Sequence, residues 1–301
     1  MSRVLALGFF DGVHVGHGQL FKYAARQAAK MGADACALTY DTHPKTLITG
    51  RPVPLLCSAG ERAGLIRSMY RVPEVVIDPF TEETARIPWR AYIDRVLIGR
   101  LEAVFVVAGY DYTFGYRGEG SPALLSEYCA ARGVGCAVIP PKRIGGTRVS
   151  STYIRGLVAE GDMEQAARFL GRRYRLSGIV ERGRGLGRQF GFPTVNLPMP
   201  PERQPPEWGV YATEVLWNGR AYPAVTNVGI RPTVETGGAP TVESTLLDFE
   251  GDLYGERIDV EFIRFLRPER RFPSPEALTE QVRRDMETVR GTDEKEKNGN
   301  R

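Results

Sequence analysis

The chain has 301 residues, enough for two domains of ordinary size, and its 42% hydrophobic and 25% charged residues are the make-up of a soluble globular protein. No apolar run approaches the roughly 20 residues that a membrane-spanning helix needs, so no membrane role is expected. The net charge of +4 comes without a long basic run or an aromatic–basic ribbon, so nucleic acid is not an expected partner.

The cysteines Cys36, Cys57, Cys129 and Cys136 show no CxxC spacing and read as reduced thiols of a cytoplasmic protein. Arginine outnumbers lysine, which suits bidentate recognition of phosphate. Oligomeric state has no signal in the sequence.

In chain order, MSRVLALGFFDG opens on a buried strand, Val4–Phe9, rather than a leader peptide. Asp34–Tyr40, Val75–Asp78, Val104–Gly109 and Cys136–Pro140 are further short apolar runs bounded by turn residues. Helical patterns lie between them at Gln19–Met31, Ser58–Tyr70, Pro88–Leu101 and Pro122–Arg132, and Ser151–Glu160 and Met163–Phe169 follow. Such alternation predicts an α/β unit over residues 1–170, a parallel sheet covered on both faces. After Tyr174 the texture is β, with runs at Leu176–Glu181, Val210–Trp217, Ala221–Asn227, Val242–Phe249 and Arg257–Phe265. Asn218-Gly219 marks a hairpin. These strands predict a small antiparallel barrel over 174–291, closed by a helix, Pro275–Val289, that Ser274 caps. The last ten residues, 292–301, read as a disordered tail.

GFFDGVHVGH, residues 8–17, leaves the first strand and enters a helix. Ligands of parallel sheets collect at the carboxyl ends of strands. Glycines there let the backbone approach a ligand, and a helix start offers free N–H groups to an anion. His14 and His17, one turn apart, can donate to phosphate oxygens as charge builds on them. An HxxH pair could also hold half of a metal site, with His43 of DTHPK as a third histidine. RVSSTYIR, residues 148–155, offers hydroxyls at Ser150, Ser151 and Thr152 and cations at Arg148 and Arg155 for an anion at a helix start.

The HxGH form resembles the nucleotidyltransferase superfamily. GFFDGVHVGH, AGYDYTFGYRGEG and the SSTxxR run together resemble the bacterial bifunctional riboflavin kinase/FMN adenylyltransferase family. The resemblance implies a Rossmann-like nucleotidyltransferase domain that transfers AMP from ATP to FMN. It implies nucleotide binding by Gly8, Phe9, Asp11, Gly12, Arg148, Ser151, Thr152 and Arg155, and by Asp111, which holds the nucleotide or its magnesium. Tyr112 and Phe114 are either core or the flavin side.

GIVERGRGLGRQFGFPTVNL, residues 178–197, does not satisfy GxGxxG and sits in a β setting, so it is no dinucleotide fingerprint. A glycine–arginine loop, here Gly183, Gly185 and Arg188, can wrap phosphate oxygens. Thr194 and Asn196 face one side of an extended segment and supply hard neutral oxygens suited to Mg²⁺. PTVN resembles the riboflavin kinase motif, and the likeness runs through WGVYAT, TNVGIRPTV, VESTLLDFEGDLYG and FLRPE. It implies that Glu243 is the general base. Asp248 and Asp252 read as turn and surface residues. The resemblance covers about residues 1–290 and implies riboflavin, FMN and ATP as substrates. Three departures stand out: TYDTHP around His43, Tyr153 where the family carries arginine, and Thr245 where it carries histidine. A kinase with a slow or altered nucleotidyltransferase half, and a non-turnover flavin or nucleotide binder, remain as alternatives.

Overall fold

The computed structural model describes residues 2–182, 194–230 and 240–299. They fall into two units, Met1–Tyr153 and Ile154–Arg301, each built on its own main sheet.

In the first unit β1 (Arg3–Leu7), β2 (Asp34–Tyr40), β3 (Glu74–Asp78), β4 (Ala103–Gly109) and β5 (Gly135–Ile139) form a parallel sheet in the order β3-β2-β1-β4-β5. β1 is central and apolar because both its faces are covered. Leu5 and Leu7 face one core with Cys36, Leu38, Ile93, Leu97 and Leu125. Val4 and Ala6 face the other with Leu20, Phe21, Ala24 and Ile66. This is the period-two alternation of a strand, and each fully buried leucine contributes about 1.5–3 kcal/mol. Two of the covering helices are α1 (Val15–Met31) and α3 (Ala59–Tyr70). Between them lies α2 (Pro44–Thr49), a short helix with no sequence expectation. The sheet order reverses between β1 and β4, which opens a crevice at their carboxyl ends.

The expected Pro88–Leu101 helix is irregular. After α4 (Glu82–Ala85), the turn α5 (Trp89–Ala91) passes into a nine-residue π-helix, Tyr92–Arg100. Its register sets the Tyr92 hydroxyl between those of Tyr40 (3.4 Å) and Tyr112 (3.0 Å), and burial raises the pKa of all three phenols. α6 (Pro122–Ala131) follows β4. Phe114 is buried in the core and Tyr112 packs against it, so both are core residues. The strands β6 (Arg143–Ile144) and β7 (Thr147–Arg148) turn on Gly145 and Gly146, both at positive φ.

α7 (Ser151–Ala159) carries the division between units, and α8 (Met163–Leu170) packs on β8 and β13 of the second. The sequence grouping of these helices with the parallel sheet thus differs from the grouping by contacts. The second sheet is antiparallel, with β8 (Tyr174–Ile179), β9 (Thr194–Pro198), β10 (Gly209–Trp217), β11 (Arg220–Ile230), β12 (Pro240–Leu246) and β13 (Arg257–Arg267) in the order β8-β13-β10-β11-β12-β9. Beyond β8, Glu181 N–H donates to Asn196 O (2.9 Å), a bridge that ties the two edge strands and curls the sheet toward a barrel. Asn218 (φ 47) and Gly219 (φ 76) make the β10–β11 turn with both central residues left-handed. Buried hydroxyls of Thr213, Thr226 and Ser244 satisfy one another at 2.6 and 2.7 Å. α9 (Pro275–Gly299) begins at Ser274, whose Oγ accepts from Ala277 N–H, and Val289 packs against Val210, Ala212 and Val225. The helix runs ten residues beyond Val289, through most of the segment expected to be disordered.

Candidate active sites

The first site starts where β1 stops at Leu7, two residues earlier than its apolar run. Phe10 (φ 59) and the β-branched Val13 (φ 44) are both left-handed, a strained turn that neighbours must hold. Thr39 Oγ1 donates to Phe9 O (2.7 Å), Leu56 N–H to Asp11 Oδ1 (2.8 Å) and Gly12 N–H to Cys57 Sγ (3.2 Å). Asp11 is buried, so its carboxylate shapes the loop. A Cβ on Gly8 would stand 2.7 Å from the Phe10 ring.

His14 is the N-cap of α1, which explains why the helix begins four residues ahead of the expected Gln19. Its Nδ1 accepts from His17 N–H (3.2 Å), so in the neutral ring the proton sits on Nε2. The two imidazoles stack with centroids 3.5 Å apart and planes 14° apart. Gly16 permits this, since a Cβ there would lie 3.1 Å from the His14 ring. Gly16→Ala is therefore expected to displace His14 by a few tenths of an ångström and to lower turnover at this site about tenfold. The melting temperature should not fall, alanine being the better helix former; steady-state kinetics beside a thermal melt checks both.

The late motif meets this loop. Ser151 Oγ donates to Asp11 O (2.9 Å) across a separation of 140 residues. Ser150 Oγ accepts from Tyr153 N–H and caps α7. Arg148 Nη1 donates to the Tyr110 hydroxyl (2.7 Å), beside β4. Asp111 is exposed, with Oδ1 3.3 Å from the place a Gly109 Cβ would take. Segments 8–17, 109–111 and 148–151 thus converge on the crevice. Thr152 is exposed, and Arg155 stands one turn along α7 from Ser151. Tyr153 lies exposed in the same first turn. The histidines do not converge on a metal: His14 and His17 stack, while His43 caps α2 through Lys45 N–H and sets its ring on Phe9 (4.5 Å). Among the described residues no group of three or more His, Cys, Asp or Glu could hold an ion.

In the second unit Asn196 on β9 pairs with Glu243 on β12, which pairs with Asn227 on β11. Thr194 Oγ1 donates to Glu243 Oε1 (2.6 Å). Thr194 and Asn196 also line a cavity with Phe249, Asp252 and Tyr254. The hydroxyl proton of Thr194 goes to Glu243, which leaves its lone pairs for a cation. With the Asn196 amide oxygen this is a hard-oxygen set that fits Mg²⁺ carrying phosphate. Thr245 sits opposite Thr194 in the β9–β12 register. Gly183, Gly185 and Arg188 lie outside the described residues.

Three features escape the sequence reading. Asp252 makes a turn through Tyr254 N–H (2.9 Å), as expected, yet also lines the cavity. Glu269 of FLRPE accepts from Asn227 Nδ2 (2.8 Å) and lies over Gly229, where a Cβ would be 2.3 Å from its carboxylate. The signal was Asn227 and Gly229 two apart on one strand face. Arg62 is wholly buried beneath Phe9; an arginine among the inward positions of α3 was its mark.

The FAD synthetase family model matches residues 1–153 and the riboflavin kinase model residues 170–292. A bifunctional riboflavin kinase/FMN adenylyltransferase of Listeria monocytogenes is 32% identical over 292 residues, covering 96% of this chain and 92% of that one. Its namesake in Bacillus subtilis is 33% identical over 291 residues, covering 95% and 91%. A crystal structure from Streptococcus pneumoniae, described as a macrolide-efflux protein, superposes with a TM-score of 0.86 at 28% identity over 96% of this chain and 94% of that one. Among the described residues here, no helix is long and apolar enough to cross a membrane. With both family models matched and relatives aligned along nearly its whole length, the chain belongs to the bifunctional riboflavin kinase/FMN adenylyltransferase family.

Proposed function

We propose that the second unit phosphorylates riboflavin beside Glu243 and that the first adenylylates the resulting FMN in the β1–β4 crevice. Riboflavin and ATP give FMN and ADP; FMN and a second ATP give FAD and pyrophosphate. The observation that carries the reading of the first site is the Ser151–Asp11 hydrogen bond, which joins two motifs 140 residues apart at the carboxyl end of β1.

In the kinase reaction the nucleophile is a neutral ribityl 5′-hydroxyl, so a base is needed. Glu243 keeps Oε1 on Thr194 and takes the proton on its other oxygen as the hydroxyl oxygen bonds to the γ-phosphorus and ADP leaves. Thr194 and Asn196 hold Mg²⁺, which when bound neutralises phosphate charge. In the adenylyl transfer the nucleophile is already a phosphate oxyanion. The first site accordingly needs donors rather than a base. The FMN oxygen bonds to the α-phosphorus and pyrophosphate leaves, while His14 Nε2–H and the α1 and α7 helix starts stabilise the added charge. His17 holds His14 in place by stacking, and Arg148 and Arg155 supply cationic donors. The free thiols suit a reducing compartment, which supports a cytoplasmic location.

Purified protein incubated with riboflavin, ATP and Mg²⁺ should yield FMN and then FAD on chromatography, and excess chelator should stop riboflavin consumption. Unchanged riboflavin with the cation present overturns the reading. FMN accumulating with no FAD would restrict it to the kinase.

A further inference from the structure

α3 turns Arg62, Ala63 and Ile66 inward. Arg62 is 0% exposed. Its Nη2 donates to Tyr40 O (2.5 Å), at the carboxyl end of β2, and its guanidinium lies 4.1 Å from the centre of the Phe9 ring. Among the described residues, Nε and Nη1 have no hydrogen-bond partner. Asp11 and Asp41 act on it from a distance, and no carboxylate among the described residues forms a salt bridge with it. A buried guanidinium with two idle donors opposes folding, and a well-packed apolar residue would ordinarily serve stability better.

Its place gives the buried charge a use. Tyr110 and Arg148, which the adenylyltransferase reading gives to the nucleotide, lie beside the end of β4. Arg62 lies on the opposite flank of the β1 loop, under Phe9 and against β2. In-line transfer brings the attacking oxygen to the α-phosphorus from the side away from the departing pyrophosphate. With ATP on the β4 flank, the incoming substrate enters on the β2 flank, and it carries a phosphate dianion. We infer that Arg62 is a positioning residue whose buried charge, acting through the Phe9 loop, draws and orients the phosphate of FMN. This rests on the adenylyltransferase reading of the first unit. The field is strong because the charge is held in a low-dielectric wall with no contact ion pair.

The test uses the full chain with Arg62→Met and Arg62→Lys, varying FMN and ATP separately in FAD formation, with riboflavin phosphorylation as control. Arg62→Met should raise KM for FMN about tenfold or more, the scale of a charge pair at an effective dielectric of about 20. KM for ATP should stay within about twofold. The kinase rate should be unchanged and the melting temperature no lower than that of the parent. Arg62→Lys should recover most of the FMN affinity. A lower melting temperature with an unchanged KM for FMN would make Arg62 a fold residue and end the inference. So would a rise in KM for ATP alone. If the unsubstituted chain makes no FAD from FMN, the adenylyltransferase reading falls as well; if it does and Arg62→Met is indifferent, only this inference falls.

Discussion

Glu243→Gln is expected to lower kcat for riboflavin phosphorylation by about 10²–10⁴ while leaving FMN-to-FAD conversion at the parental rate. The substitution removes basicity and little else. A glutamine carbonyl can still accept from Thr194 Oγ1, as Glu243 Oε1 does at 2.6 Å, so the β9–β12 pairing and the places of Thr194 and Asn196 are kept. On the proposed mechanism only the proton acceptor for the 5′-hydroxyl is lost. The measurement is the initial rate of FMN release at saturating substrates, beside FAD formation from supplied FMN. A kinase rate within about threefold of the parent would remove Glu243 from the chemistry.

The mirror experiment is His14→Asn. Alanine at this position would confound two roles, since His14 caps α1 and is also the proposed donor to the α-phosphate. Asparagine is among the best N-caps, so helix α1 should keep its start and the unfolding free energy should move by less than about 1 kcal/mol. What disappears is the Nε2–H donor and the ring on which His17 stacks. Losing a donor aimed at developing charge typically costs about 10²–10³ in kcat. FAD formation should fall by that factor and riboflavin phosphorylation should not change. Equal damage to both reactions in a folded protein would contradict two independent sites.

Much of this was readable from residue order. The apolar VLAL of β1, the loop of glycines and histidines behind it, and the serine–threonine helix start at 150–152 announce a strand end and two helix starts, which the structure brings together through Ser151 and Asp11. Asn218-Gly219 fixes its hairpin through two left-handed residues. Other features depend on contacts that local pattern does not encode. The helical periodicity of 88–101 hides a π-register, in which the Tyr92 hydroxyl meets those of Tyr40 and Tyr112 from other parts of the chain. α2 is too short for a periodic signal and rests on His43 as a cap. The extended form of Thr194–Asn196 was legible, but its edge-to-edge bridge from Glu181 is tertiary. Arg62 reads as an ordinary polar position in α3 until its burial under Phe9 is seen.

The central claim is that two ATP molecules are attacked at different phosphorus atoms. It is tested most directly by supplying riboflavin with ATP labelled at either position and following label into each flavin. Label at the γ-phosphorus should enter FMN and persist in FAD. Label at the α-phosphorus should enter FAD and never FMN. FMN without γ-label, or FAD without α-label, would contradict the account.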